Sequence, residues 1–221
     1  MNNTSQRLRR LTVMAMLVAI AYVAVFLTRF PLVPGADFLT YEPKDSLITI
    51  GAYMLDPLAG VIMTVTVSLL EMVTFSSTGL IGLVMNVFSS CLFVCTASLF
   101  YQKKRTLGGA LLGLSCAVLL TTAGMLLWNY LITPLYMNVP RSVVLEQILP
   151  VFLPFNAIKC VLNAALTMLL YKSVSSALRA TKLLPPSETR TSPKKYLPVI
   201  VLSALIVIGI TLGLLAWKGM I

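Results

Sequence analysis

Long apolar blocks alternate along this chain with short polar or basic breaks. A helix needs about 20 mainly apolar residues to cross the hydrocarbon core of a bilayer. The blocks at about 11–28, 57–74, 80–101, 107–133, 148–174 and 196–217 reach or approach that length. The pattern predicts an all-α, polytopic membrane protein. The apolar run from Ser46 to Glu71 is broken by Asp56-Pro57. Proline lacks a backbone donor and stops helices, so the run reads as two short helices, 46–55 and 57–74, turning at that dipeptide, with one kinked helix as the alternative. The connection before it carries Pro31, Pro34, Gly35, Phe38 and Tyr41, more than a simple link requires. Shorter breaks follow: a Ser/Thr/Gly loop at 75–79, a basic turn at 102–105, and a polar loop at 134–146. Residues 179–195, with Pro185-Pro186 and several Lys and Arg, read as a solvated basic linker. The organisation expected is a six-helix membrane domain over 1–178, that linker, and an additional transmembrane helix within 196–221.

Composition agrees. Of 221 residues, 58% are hydrophobic and 11% charged, against about 25% charged in a soluble domain, and mean hydropathy is +0.92. The net charge of +10 would suggest nucleic acid in a soluble protein. Here the basic residues lie between apolar blocks, where the positive-inside rule places them, and no nucleic-acid partner is expected. With the amino terminus inside, twelve of the seventeen Lys and Arg fall on the inner side, four fall outside, and Lys159 lies within a block. This orients the chain in the membrane with its amino terminus cytoplasmic. It also favours the split at Asp56-Pro57, because a single span there would put the basic turn at 102–105 outside. Arg7, Arg9 and Arg10 before an apolar run resemble a signal peptide, but no small-residue cleavage site follows a short apolar core, so the segment reads as a retained first helix. The chain has no histidine, which excludes a His-ligated metal. Cys91, Cys95, Cys116 and Cys160 all lie in apolar runs without a CxxC pair and read as small buried hydrophobes.

Lys159 is the most informative position. An ammonium inside a span costs at least about 2.5–3.5 kcal/mol on insertion scales, so such residues usually face a cavity or a partner. Snorkelling to the interface is the bland reading. Asn156 and Asn163, three residues before and four after, share its helix face. Asn129, between Trp128 and Tyr130 near the end of the fifth block, supplies an amide that can donate and accept at once. Asn86 and Glu71 are weaker candidates. A planar ligand with an amide-like edge would suit this set, its face against loop aromatics. Ala15 and Ala19 form a small-xxx-small pair that lets helices approach closely in lipid. The chain contains no GxxxxGK[ST] phosphate loop, GxSxG or HExxH, and it does not read as an enzyme.

Taken together, the segments Phe38-Leu39-Thr40-Tyr41-Glu42-Pro43-Lys44-Asp45, Ile50-Gly51-Ala52-Tyr53-Met54 and Asp56-Pro57-Leu58-Ala59-Gly60 show a familiar order. Trp128-Asn129-Tyr130 with Pro134 and Leu153-Pro154-Phe155-Asn156-Ala157-Ile158-Lys159 continue it. Over about residues 8–178 the chain resembles the riboflavin-specific S components, the substrate-binding subunits of energy-coupling factor (ECF) vitamin transporters. The resemblance implies a six-helix bundle with a ligand pocket near the outer face, capped by the first long loop. It implies that Asn129, Asn156 and Lys159 contact the flavin ring, with Leu39 and Thr40 supplied by the loop and Gly79 at the pocket edge. It implies that Ala15 and Ala19 face a membrane coupling subunit linked to two ATPases, and that riboflavin is the transported ligand, with no cofactor. Lys44 and the seventh span depart from the family pattern. The alternatives are an S component for another vitamin or a flavin nucleotide, a membrane-embedded enzyme, and a structural membrane subunit without a ligand.

Overall fold

A computed structural model describes residues 3–33, 39–76, 78–181, 183 and 193–217. The helices are α1 (Asn3–Thr28), α2 (Lys44–Met54), α3 (Pro57–Thr74), α4 (Gly79–Lys103), α5 (Leu107–Met137), α6 (Arg141–Gln147), α7 (Leu153–Ala180) and α8 (Pro193–Trp217). Among the described residues, six segments are long and apolar enough to cross a membrane, with 141–180 counted as one. Apolar side chains such as Leu27, Leu119 and Leu135 cover much of the outside, as a lipid-facing surface requires. The chain is a multi-pass membrane protein built as a helix bundle, with the extra carboxy-terminal helix that the hydropathy pattern predicts.

The break at Asp56-Pro57 is where the sequence puts it. The Asp56 side chain accepts from the Ala59 amide at 2.8 Å, and Pro57 opens α3. A side-chain acceptor satisfies one orphan donor at a helix start, and proline there loses no bond. At this corner Arg10 of α1 pairs with Asp56 at 2.6 Å. At 1.5 Å per residue, α2 spans only about 16 Å, half a bilayer core. It lies at the centre of the bundle, packed against α1, α3, α4 and α7, and every residue from Lys44 to Tyr53 is buried.

Three boundaries differ from expectation. First, α1 begins before the basic residues, at Asn3 rather than near Leu11, since Gln, Arg and Leu are good helix formers. Second, the predicted polar loop at 134–146 is mostly helical: α5 runs through Pro134 to Met137, Asn138 closes it at φ 54°, and α6 starts at Arg141. Third, Gly79 opens α4 rather than lying in a loop. Its φ of +57° is a conformation that glycine adopts without penalty. A wide π-turn, Ile148–Phe152, joins α6 to α7, and the missing donors of Pro150 and Pro154 fall in or beside it.

The long connection after α1 folds into a two-stranded antiparallel ribbon, β1 (Phe30–Pro31) with β2 (Thr40–Tyr41), pairing Phe30 with Tyr41 and Pro31 with Thr40. Hydropathy alone gave no sign of it. Leu32, Leu39 and Tyr41 from this connection pack with Val144, Phe152, Phe155 and Leu162, which lays it over the start of α7. Phe38 and most of the 179–195 linker lie outside the described residues. On α8, Tyr196 donates to the Met168 carbonyl at 3.1 Å, and Val207, Ile210 and Leu214 pack onto the same cluster as Phe155 and Leu162. The rest of α8 is largely exposed.

Candidate functional site

At the end of the bundle where the ribbon lies, two clefts meet. The first is lined mainly by α4 and α5: Ile81, Gly82, Met85, Trp128, Asn129, Ile132, Thr133 and Tyr136, with Thr78. The second is lined by Arg29, Thr40, Glu42, Glu71, Phe75, Ser76 and Asn86. Thr78 and Met85 belong to both, so the two are lobes of one cleft, one mostly apolar and one polar.

Charged side chains are buried against the polar lobe. Lys44, the first residue of α2, is fully buried (0% exposed). Its ammonium bonds to Glu71 of α3 and lies 2.9 Å from Glu42 Oε2. Burying an unpaired charge costs several kcal/mol, and the two carboxylates supply the pairing that lets Lys44 sit there. Glu42 also lies 3.9 Å from Arg29 Nε and 3.9 Å from Lys159 Nζ, and it accepts from Thr40 Oγ1 at 3.2 Å. Burial by itself would raise the Glu42 carboxyl, but Lys44, Lys159 and Arg29 outweigh it and hold the group down at about 2.

Lys159 is therefore a buried cation facing a carboxylate, 8% exposed, and not a snorkelling side chain. Asn163, one turn further along α7, has a different task. Its Oδ1 accepts from Tyr41 Oη at 3.2 Å and Ser46 Oγ at 3.0 Å, and its Nδ2 donates to the Glu42 carbonyl at 3.3 Å and Asp45 Oδ2 at 3.4 Å. Asp45 in turn accepts from Ser90 Oγ at 2.5 Å. Asn163 thus clasps the long connection onto α7, which fixes Glu42 relative to Lys159.

The sequence candidates distribute unevenly over this geometry. Asn129 lines the apolar lobe and accepts from Thr133 one turn on, at 3.0 Å. Thr40 lines the polar lobe. Lys159 reaches that lobe's wall through Glu42. Asn156 is buried, its amide donating to the Phe152 carbonyl at 2.7 Å. Leu39 packs into the apolar cluster beneath the ribbon. Gly79 makes the turn next to Thr78, which lines both lobes. Ala15 and Ala19 are exposed on the face of α1 opposite buried Val13, Leu17 and Ala21. Sequence reasoning ranked Glu71 low and read Glu42 and Lys44 only as loop residues. Their signal was available: two acids and a lysine bordering apolar runs must find each other or water.

Comparison with known proteins places this arrangement among relatives. Residues 9–171 match the family model described as ECF transporter, substrate-specific component. The chain is 28% identical over 180 residues to a protein of Staphylococcus aureus (strain TCH60) named riboflavin transporter RibU, covering 79% of this chain and 94% of that one. It is 27% identical over 179 residues to a protein of the same name from Streptococcus thermophilus (strain ATCC BAA-250 / LMG 18311), covering 77% and 84%. Its fold superposes with a TM-score of 0.66 and 28% identity on a solved S component of a bacterial ECF transporter, covering 78% of this chain and 99% of that one.

Proposed function

This chain belongs to the substrate-specific components of ECF transporters, and on that premise we propose that it is the riboflavin-binding membrane subunit of such a transporter. The observation that carries the reading is the two-lobed cleft. Its apolar lobe offers Trp128 and Tyr136 beside the Asn129 amide, and its polar lobe is walled by Thr40 and Glu42 with the Lys159 ammonium behind. A flat ring system with carbonyl and imide edges suits the first, since an amide both donates and accepts. Thr40, Asn129, Asn156 and Lys159 are the proposed contacts, and Leu39 and Gly79 shape the loop and corner that border them.

These 221 residues contain no GxxxxGK[ST] phosphate-binding loop, so ATP hydrolysis by that route needs a partner. The proposed partners are a membrane coupling subunit and two ATPases, with exposed Ala15 and Ala19 on α1 meeting the coupling subunit. The twelve-to-four distribution of basic residues supports a cytoplasmic amino terminus, which puts the cleft on the outer side.

Purification of the full chain in detergent, followed by visible spectroscopy and fluorescence titration, tests the reading. Co-purified flavin, or saturable quenching of added riboflavin, supports it. A colourless protein that leaves riboflavin fluorescence unchanged at micromolar concentrations removes it.

A further inference from the structure

Two carboxylates wall the polar lobe, and each keeps a buried oxygen without a hydrogen-bond donor: Oε2 of Glu42 and Oε1 of Glu71. The first is still offset by ammonium groups at 2.9 Å and 3.9 Å. The second is not. Lys44 engages Glu71 through Oε2, and Oε1 is left alone. A buried acceptor without a donor costs about 1–3 kcal/mol. Asn86, an amide with two donors of its own, lines the same lobe.

Charge decides what would satisfy this wall. A bound cation is opposed by Arg29, Lys44 and Lys159, which outnumber the two carboxylates. The surplus would draw an anion, but each of these cations is already engaged with a carboxylate, and a phosphate would set its acceptor oxygens against the bare Oε1 of Glu71. A neutral hydroxyl donates to a carboxylate and accepts from an amide at once. The apolar lobe, reached past Thr78 and Met85, takes a ring. We propose that Glu71, with Asn86, forms the subsite for the hydroxylated chain of the flavin, and that this subsite selects the neutral vitamin over its phosphorylated form. The inference rests on the riboflavin reading above.

The test compares three probes on the full-length protein: riboflavin, lumiflavin (the ring without the hydroxylated chain) and riboflavin 5′-phosphate. Wild type is expected to bind riboflavin at least tenfold more tightly than either of the others. In Glu71→Gln, Lys44 retains the carbonyl and an amide NH₂ replaces Oε1, so an acceptor at the wall becomes a donor. This variant and Asn86→Ala should each lose at least fivefold for riboflavin and stay within twofold for lumiflavin. Retained lumiflavin binding also shows that the variant is folded, and Asn86→Ala carries the test if Glu71→Gln is not. Equal losses for both probes, no loss for either, or phosphate ester binding as tight as riboflavin would overturn the subsite. Failure of wild type to bind any flavin would instead overturn the proposed function, and this inference with it.

Discussion

Lys159 of α7 and Glu42 of the connection after α1 face each other inside the protein, Nζ to Oε2 at 3.9 Å. The pair links the part of the chain that covers the cleft to the helix carrying Asn156 and Asn163. At 3.9 Å it is a loose contact, made behind the wall of the polar lobe.

Replacing Lys159 with alanine removes the cation that backs Glu42 at the wall of the polar lobe and that the proposed function makes a ligand contact. Riboflavin affinity should fall at least tenfold, or about 1.4 kcal/mol, in equilibrium fluorescence titration. Unchanged affinity would detach Lys159 from the site.

Acid should loosen the cleft end of the bundle. The Glu42 carboxyl is held at about 2 against an ordinary 4.5, so the folded state favours its ionised form. That contribution is complete above pH about 4.5 and is lost as pH falls toward 2. Wild-type thermal stability should therefore drop across this window, by on the order of 2 kcal/mol from this group. Glu42→Gln should start less stable and show a shallower drop. Parallel melting curves for the two proteins between pH 5 and pH 3 would show that Glu42 does not carry the effect.

Ala15 and Ala19 lie on the outside of α1, away from the cleft. Ala15→Leu with Ala19→Leu should leave riboflavin titration within twofold of wild type, yet abolish cellular uptake and co-purification with the coupling subunit, because bulky side chains prevent close helix approach. Uptake at wild-type rate would place the interface elsewhere.

The eighth helix adds a layer to α7 without lining either lobe. A chain ending at Ser192 should bind riboflavin with affinity within threefold of the full protein. Its melting temperature should be lower, since the Tyr196 contact and the packing of Val207 and Ile210 are lost. Loss of binding in a folded truncated protein would give α8 a part in the site.

Gly113 of α5 lies where a side-chain carbon would come within 2.7 Å of the Ala97 carbonyl of α4. Because the obstacle is backbone, Gly113→Val should destabilise the bundle by about 1–3 kcal/mol, measured as thermal unfolding. A melting temperature equal to wild type would mean that the two helices separate at little cost.

Much of this protein was legible along the chain. Hydropathy placed the membrane helices, and Asp56-Pro57 marked its own corner because capping and proline effects act within one turn. Lys159 stood out because a charge in an apolar block is costly wherever the rest of the fold lies. Helix ends such as 134–146 were missed because a proline near the end of a packed helix reads locally like a loop.

Tertiary structure alone decided what each polar group meets. Lys44 finds Glu71 across 27 residues, and Asn163 clasps Tyr41 across 122. Neither pairing leaves a local periodicity, because it depends on how helices rotate and pack against one another. The sequence by itself marked Lys159 as a charge set within an apolar block, while Lys44, counted there among the outer-side basic residues, proves fully buried. Only the assembled bundle turned Glu42 toward Lys159 and joined an apolar and a polar lobe into one cleft, since a buried charge settles on whichever partner the packing brings within a few ångströms.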